Sequence, residues 1–333
     1  MALKLGVIGI DHGHIFGMLG RMQDQGCSCA HWWSDGPAVT ETKFGNVFPG
    51  IKRVADRRRI LEDPSVAMVL IAAVPADRAD LAVEAMEAGK DVMVDKPGCT
   101  TLDQLTRVRD VQARTGRIWT VNFSERFQVP AVAKAEDLVR QGAIGRVVQT
   151  VGLGPHKQNR RTRPDWFFQR ARYGGILCDI GSHQIDQFLH FTGSSTAQIH
   201  HAHVENTTMP EQPGFQDFGE VVLSSAAGHG YIRVDWFTPD GLPTWGDGRL
   251  FLLGTEGQIE LRKYTDVGQP HVTDTLYLVN GARNERIACA DHPLPYFSRL
   301  VADVQDRSET AVGQAHTFAV TELAIHAQMR AEG

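Results

Sequence analysis

Three polar side chains within residues 174–186 have the spacing that acid–base chemistry requires. Asp179, His183 and Asp186 follow one another at intervals of four and three residues, which would place them on one face of a helix. A carboxylate beside an imidazole can take up a proton near neutral pH. The same spacing also suits a buried histidine that only braces its helix, so this segment alone leaves both interpretations open.

Alternating apolar strands and amphipathic helices organise the first part of the chain. Short apolar runs stopped by glycine, proline or polar residues occur at 4–8, 29–33, 66–74, 91–94 and 118–122. Such alternation predicts a doubly wound parallel sheet, which binds ligands beyond the carboxyl ends of its strands.

The later part of the chain has many predicted strands without intervening helices. This pattern indicates a large, mostly antiparallel sheet. We therefore predict an α/β fold with a Rossmann-like dinucleotide-binding domain at 1–122. A C-terminal α+β domain at 123–333 would bind substrate and mediate oligomerisation.

The turn after the first strand carries part of a dinucleotide-binding fingerprint. Gly9 occupies the first glycine position, while Asp11 and His14 stand at the second and third. A carboxylate at the second position would repel a phosphate group. The turn therefore indicates either an altered nucleotide site or a plain strand-to-helix connection.

Several segments, in order along nearly the whole chain, resemble the Gfo/Idh/MocA family of NAD(P)-dependent oxidoreductases, which act on sugars, polyols and related compounds. The resemblance rests on the glycine turn, on A-G-K-D-V-M-V-D-K-P at 88–97 and on S-E-R-F at 124–127. Residues 174–186, W-F-T at 236–238 and L-G-T-E-G at 253–257 also carry it.

The resemblance implies roles for three residues. Lys96 matches the family lysine that contacts substrate and nicotinamide. Asp179 and His183 match an aspartate and a histidine four residues apart, and the histidine is the usual general acid/base. The cofactor would be NAD or NADP. Its expected contacts are Gly9, Ile10, Asp11, His12, Gly13, His14, Ser34, Asp35, Ala73, Pro75, Asp95 and Lys96.

The chain departs from the family pattern on its cofactor side. Asp95 replaces the usual glutamate before the Lys-Pro pair, and Asp11 replaces a glycine. Arg78 stands about where many members carry histidine. The ribose-binding acid is either displaced to Asp35 or replaced by Ser34.

A basic, aromatic loop precedes the Asp179/His183 segment. Four lysines and arginines and one histidine lie within the eight positions 156–163, next to aromatic residues. Such a cluster would suit a carboxylated or phosphorylated substrate, although a solvated or subunit-contact loop has the same composition. The predicted substrate-binding residues are Arg126, His156, Arg163 and Trp166.

Composition excludes several classes of function. The 333-residue chain has a net charge of −5, which argues against a general nucleic-acid binder. No apolar run is long enough to predict a membrane span or a signal peptide. Five irregularly spaced cysteines predict reduced thiols and a cytoplasmic protein. The histidines at 200, 201 and 203 have no carboxylate or thiol at ligand spacing, and D-H-G-H at 11–14 is the best metal-like cluster in the sequence; we predict no metal at either.

These observations predict an oxidoreductase that transfers a hydride between a sugar, polyol or sugar-acid hydroxyl and NAD(P). His183 would act as general acid/base, and Lys96 would polarise the reacting oxygen. The alternative is a non-redox lyase, epimerase or glycosidase with a recycled or absent nicotinamide, which Asp11 motivates. A third possibility is a ligand sensor. A partly apolar sheet face with Trp236 and Phe237 favours a homodimer or homotetramer.

Overall fold

The computed structural model describes residues 2–269 and 271–333. Within these residues, six parallel strands form one sheet in the order β3-β2-β1-β4-β5-β6. The strands are β1 (Lys4–Ile8), β2 (Ser28–Trp33), β3 (Lys52–Arg53), β4 (Val66–Ile71), β5 (Asp91–Asp95) and β6 (Trp119–Asn122). The predicted Rossmann-like sheet is thereby confirmed. The strand order reverses between β1 and β4, so ligands are expected beyond the carboxyl ends of these two strands.

Helices connect the strands of this sheet: α1 (His14–Asp24), α2 (Glu41–Val47), α3 (Arg58–Leu61), α4 (Arg78–Glu87) and α5 (Leu102–Thr115). Local sequence sets the ends of α5. The hydroxyl of Thr101 accepts a hydrogen bond from the Gln104 amide at 3.2 Å, and Gly116 ends the helix at a φ of 61°. Both are common helix-boundary devices, since a threonine satisfies a free amide and glycine tolerates positive φ.

A second sheet has the strand order β14-β13-β12-β11-β7-β10-β9-β8 among the described residues. Its strands are β7 (Val147–Pro155), β8 (Gln198–Glu205), β9 (Phe218–Ser224), β10 (His229–Asp235), β11 (Arg249–Gly254), β12 (Gly257–Arg262), β13 (Thr275–Asn280) and β14 (Asn284–Ala288). Strands β7 and β10 run parallel, and the other neighbouring pairs are antiparallel. This confirms the predicted large, mostly antiparallel sheet.

The remaining helices are α6 (Ser124–Phe127), α7 (Pro130–Arg140), α8 (Arg170–Tyr173), α9 (Ser182–Thr192), α10 (Pro295–Asp306) and α11 (Gln314–Glu332). Helix α7 packs its apolar face against the second sheet, where Val132 and Leu138 join Leu250 and Ile259 in one buried cluster. In the described part of the chain, no helix is long and apolar enough to cross a membrane.

The chain forms two compact units. The first contains the chain through Asn122 together with 164–174 and 295–321; the second contains 123–163, 175–294 and 322–333. The domain boundary expected from the sequence, between 122 and 123, stays a prediction; in the structure the segments 164–174 and 295–321 belong to the first compact unit.

Candidate functional site

The turn after β1 requires a glycine. Gly9 has a φ of +75°, and a side chain there would place its Cβ 2.4 Å from the Cβ of Ala73. The Gly9 amide also donates to the carbonyl of Trp33 at 2.7 Å. The turn is therefore held tightly between the ends of β2 and β4, as a phosphate-binding turn needs.

Asp11 follows in this turn and is partly buried. The Ser34 hydroxyl lies 3.5 Å from its Oδ2 and donates a long hydrogen bond. Burial raises the pKa of the Asp11 carboxyl, and this effect outweighs the opposing influence of the Arg78 guanidinium. The neutral acid thus persists to higher pH than usual, which reduces the repulsion expected between Asp11 and a phosphate.

A pocket of about 250 Å³ opens beside this turn, within the first unit. Arg57 stacks over the Trp33 ring at 5.0 Å, and Arg172 donates two hydrogen bonds of 2.8 Å to Asp77. The full lining consists of Gly9, Asp11, Trp33, Asp35, Arg57, Ala73, Val74, Asp77, Asp80, Leu81 and Arg172. Four predicted cofactor residues, Gly9, Asp11, Asp35 and Ala73, are therefore brought together. A tight glycine turn beside a carboxylate and an aromatic wall is the arrangement expected at one end of a dinucleotide site.

Other predicted cofactor residues lie close to this turn without lining the pocket. Ile10, Ser34 and Pro75 are buried, and Gly13 is exposed just before α1. The buried side chains of Ile10, Ser34 and Pro75 therefore help to shape the turn and the strand ends. A direct role in cofactor binding stays a prediction for these four residues.

Asp95, at the end of β5, joins two of the predicted residues. Its Oδ2 lies 2.8 Å from His12 Nδ1 and its Oδ1 lies 2.8 Å from His14 Nδ1. Burial lowers the pKa of His12 to about 3, although the Asp95 carboxylate opposes this shift. His12 is therefore neutral at physiological pH.

Arg78 donates hydrogen bonds to the same carboxylate and to the backbone carbonyl of Lys96. It is fully buried, and its Nη2 donates to Asp95 Oδ2 at 2.9 Å. Its other donors reach the carbonyls of Ala73, Asp95, Lys96 and Pro97. Although burial opposes ionisation, the charge of Arg78 and the hydrogen bond with His12 hold the pKa of Asp95 well below its usual range. Sequence analysis noted Arg78 only as a departure from a family pattern.

In the second unit, Asp179 and His183 lie in consecutive but different turns. Asp179 belongs to a π-helical turn, Leu177–Gly181, and His183 to the first turn of α9. We expected one regular α-helix to carry both residues, and this is wrong at Asp179. A π-turn places residues that are four apart at a different angle around the helix axis than an α-helix does. Gly175 starts this segment at a φ of +87°, and a Cβ there would lie 2.2 Å from the Gln328 side chain.

His183 is almost completely buried, with 1% of its surface exposed. The Phe123 ring meets its imidazole edge-on at 6.4 Å. Close to it, Gln184 donates from Nε2 to Oε2 of Glu125 at 2.8 Å, and Lys263 donates to the same oxygen at 2.6 Å. Despite burial, the charges of Lys263 and then His183 lower the pKa of Glu125 to about 2.

Sequence analysis did not identify the Glu125–Lys263 ion pair. Glu125 lies inside the S-E-R-F segment that carries the family resemblance, so an acid at this position was the available signal. Lys263 follows β12 and is separated from Glu125 by 138 positions. Nothing local in the sequence connects the two residues.

Asp186 lies one turn beyond His183 and binds Arg126. The guanidinium donates from Nε and Nη2 to the two carboxylate oxygens at 2.7 Å each. Both side chains are buried. This bidentate ion pair gives Asp186 a structural role in the second unit. For Arg126, a contact with substrate stays a prediction, since the structure shows its guanidinium bound to another residue.

The basic loop divides between the two units. In the second unit, Arg163 stacks over the Trp236 ring at 5.0 Å, and His156 contacts the rings of Trp236 and Trp245 at 5.3 and 4.5 Å. Burial lowers the pKa of Arg163, opposed by Asp179. Trp166 lies in the first unit, against Phe167. Substrate binding by His156, Arg163 and Trp166 stays a prediction.

The first unit has a pocket at the glycine turn of a doubly wound sheet, and the second unit has a large mixed sheet. These features are typical of two-domain dinucleotide-binding proteins. Residues 6–123 match the family described as "Oxidoreductase family, NAD-binding Rossmann fold", and residues 132–260 match the "GFO/IDH/MocA C-terminal domain". The chain belongs to the Gfo/Idh/MocA family.

Individual relatives agree with this assignment. Levoglucosan dehydrogenase of Pseudarthrobacter phenanthrenivorans is 32% identical, over 79% of this chain and 66% of that enzyme. The scyllo-inositol 2-dehydrogenase (NAD(+)) of Bacillus subtilis is 28% identical, over 61% of this chain and 57% of that enzyme. The chain thus matches two thirds or less of the length of these curated relatives.

A crystal structure of a protein from Erwinia carotovora atroseptica is similar along almost the whole chain. The two sequences are 42% identical, the TM-score is 0.95, and the match covers 99% of this chain and 98% of that one. Both units of the fold are therefore shared with an experimentally determined relative.

Proposed function

We propose that this chain is an NAD(P)-dependent dehydrogenase that acts on a hydroxyl group of a sugar, polyol or sugar acid. Family membership together with the glycine-turn pocket of the first unit carries the proposal. Two curated relatives are named as dehydrogenases of levoglucosan and scyllo-inositol. These names support the redox class over the lyase, epimerase or glycosidase alternative.

The cofactor would occupy the pocket beside Gly9, with Asp35 at the adenosine ribose and Trp33 along one wall. When bound, the nicotinamide supplies the hydride acceptor. Burial raises the pKa of Asp11, so at acidic pH it would present less negative charge to the pyrophosphate than an exposed aspartate would. Exposed Asp35 would repel the 2′-phosphate of NADP, so we propose a preference for NAD.

His183 is proposed to take the hydroxyl proton during oxidation and to return it during reduction. Burial keeps water away from the imidazole, and the Glu125 carboxylate supplies a negative charge that interacts with it. Asp179 would orient the substrate hydroxyl or the imidazole. Lys96 would stabilise negative charge developing on the reacting oxygen. Lys96 and His183 belong to different units, and their common role rests on the family relationship.

The test measures NADH or NADPH formation by tag-free protein with a panel of sugars, polyols and sugar acids. We expect turnover with at least one substrate, and His183→Ala should lower kcat by about 10²- to 10⁴-fold. His229→Ala is the matched control, because His229 is an exposed histidine of the same unit. Absence of turnover across the panel, or equal kcat in wild type and His183→Ala, would contradict the proposal.

We also propose that the exposed face of the second sheet joins copies of the chain into a homodimer or homotetramer. Leu253 and Val279 are 45% and 39% exposed on β11 and β13. Phe237 is 43% exposed, whereas Trp236, which was expected on such a face, is buried. Light scattering at micromolar concentration should give a multiple of the chain mass, and Leu253→Glu should reduce it. A monomer at all concentrations would refute the proposal.

A further inference from the structure

Three side chains that can bind a metal ion meet in the first unit. His12 and His14 come from the turn after β1, and Asp95 comes from the end of β5. One ligand atom from each residue lies within 4.8 Å of the others. The two imidazole rings stand at 88° to each other, with centroids 4.3 Å apart. The side chains of His12 and His14 are 20% and 28% exposed, so an ion could reach them from solvent.

We propose that His12, His14 and Asp95 bind one divalent transition-metal cation. Two imidazole nitrogens and one carboxylate oxygen form a ligand set found with zinc and neighbouring first-row metals. Three protein ligands leave coordination positions for water or another molecule. This inference does not depend on the proposed dehydrogenase activity.

The distances agree with a shared cation. Each histidine Nδ1 lies 2.8 Å from an Asp95 oxygen. Two ligands bound at about 2.0–2.1 Å in tetrahedral geometry would be about 3.3 Å apart, which is about 0.5 Å farther than these two contacts. The three groups could therefore bind one ion with small movements.

Arg78 orients the carboxylate behind these ligands. Its Nη2 donates to Oδ2 of Asp95 at 2.9 Å, the oxygen that also lies beside His12. Oδ1, beside His14, would therefore be the ligand oxygen, and the His12 imidazole would turn toward it on metal binding. Residues that hold a metal-binding carboxylate from behind are a usual part of metal sites. The positive charge of Arg78 also weakens the attraction for a cation, so we expect moderate affinity and a requirement for nitrogen-preferring metals.

The same contacts could instead serve only as hydrogen bonds from two imidazoles to one carboxylate. The two interpretations differ in a measurable way. A metal site binds Co²⁺ or Zn²⁺ with defined stoichiometry and discriminates against Mg²⁺, which prefers oxygen ligands. A hydrogen-bonded cluster binds none of them.

The experiment uses tag-free full-length protein, stripped with a chelator and titrated with Co²⁺ and Zn²⁺ by absorption spectroscopy and calorimetry. We expect about one cation per chain, visible absorption bands of protein-bound Co²⁺, and no comparable binding of Mg²⁺. His12→Gln and His14→Gln should each lower the affinity at least about tenfold. Both positions are partly exposed, so these substitutions are compatible with folding, which thermal unfolding would verify.

The double variant His201→Gln/His203→Gln is the control for adventitious binding, because these histidines lie on β8 with side chains 55% and 48% exposed. It should bind Co²⁺ like the wild type. Absence of stoichiometric binding would overturn the proposal. Binding that survives both turn substitutions, or that disappears in the control, would overturn it as well. Enzymatic turnover is not a readout, so failure here leaves the proposed dehydrogenase function unaffected.

Discussion

Lys263→Met should expose how strongly the second unit depends on its buried ion pair. Lys263 and Glu125 have 0% and 1% of their side chains exposed, and the ammonium lies 2.6 Å from the carboxylate. Methionine has a similar length and no charge. The substitution therefore leaves Glu125 buried, with the Gln184 amide still donating to it.

The magnitude follows from the ionisation of Glu125. The ion pair and its surroundings lower the pKa of this carboxyl from 4.5 to about 2. At about 1.4 kcal/mol per pH unit, this corresponds to roughly 3 kcal/mol of stability. Removing one partner from a buried pair typically costs about 3–5 kcal/mol. We expect Lys263→Met to lower the free energy of unfolding by about 3 kcal/mol at pH 7.

The pH dependence gives a sharper signature. In the wild type, the lowered pKa of Glu125 contributes stability that is present above pH 4.5 and is lost as pH falls toward 2. In Lys263→Met, burial without the ammonium should raise this pKa above 4.5. The folded variant then binds a proton more tightly than the unfolded chain, so its stability should decrease as pH rises from 5 to 7.5.

Urea unfolding followed by tryptophan fluorescence at pH 5.0, 6.0 and 7.5 measures both effects. Lys4→Met is the matched control, because Lys4 pairs with Asp63 near the surface, with side chains 33% and 23% exposed. Such a pair contributes about 1 kcal/mol or less. The reasoning is refuted if Lys263→Met costs no more than the control, or if its stability rises between pH 5 and 7.5.

Three further predictions concern the first unit. Arg78→Met should lower the thermal midpoint by roughly 10 °C in a calorimetric scan, because it leaves buried Asp95 without its cation. The control Arg57→Met removes one partner of a partly exposed ion pair and should lower the midpoint far less. Equal decreases in the two variants would contradict this prediction. The affinity of the wild type for NADH, measured by fluorescence titration, should fall as pH rises, because Asp11 ionises. In Asp11→Asn the affinity should no longer depend on pH in this way. If the pH dependence is the same in the variant, a group other than Asp11 causes it. Asp35→Ser should raise the ratio of kcat/KM with NADP to that with NAD, and an unchanged ratio would exclude Asp35 from cofactor choice.

The sequence was sufficient to predict the class of both sheets. Continuous apolar runs such as β4 are buried on both faces in a parallel sheet, and this signal is independent of partners elsewhere in the chain. Strands β13 and β14 and helix α2 were not predicted. Strand β14 is largely exposed, so its sequence shows little of the apolar alternation that marks a strand.

The candidate site was predictable where function depends on local spacing. The turn at Gly9 and the Asp179/His183 segment have recognisable patterns, and the structure places the former beside a pocket. Partnerships across long separations were not predictable. Lys263 contacts Glu125 only because the fold brings these distant positions together. The same is true of Asp95 and its contacts with Arg78 and with the turn histidines.

The π-helical turn before α9 is a local conformation that the sequence pattern could not predict. Asp179 and His183 are four residues apart in either conformation, so spacing alone cannot distinguish a regular helix from one with a π-turn. Gly175, just before this turn, has a φ of +87°, which favours glycine, and it packs directly against the side chain of Gln328, which is distant in sequence.

The central claim is that nicotinamide chemistry on this chain requires a proton acceptor at His183. The most direct measurement compares wild type and His183→Ala for NADH binding by fluorescence and for turnover of the best substrate from the panel. The account predicts similar NADH affinity in both proteins and a loss of kcat of about 10²-fold or more in the variant. Undiminished turnover in His183→Ala, with NADH bound normally, would contradict it.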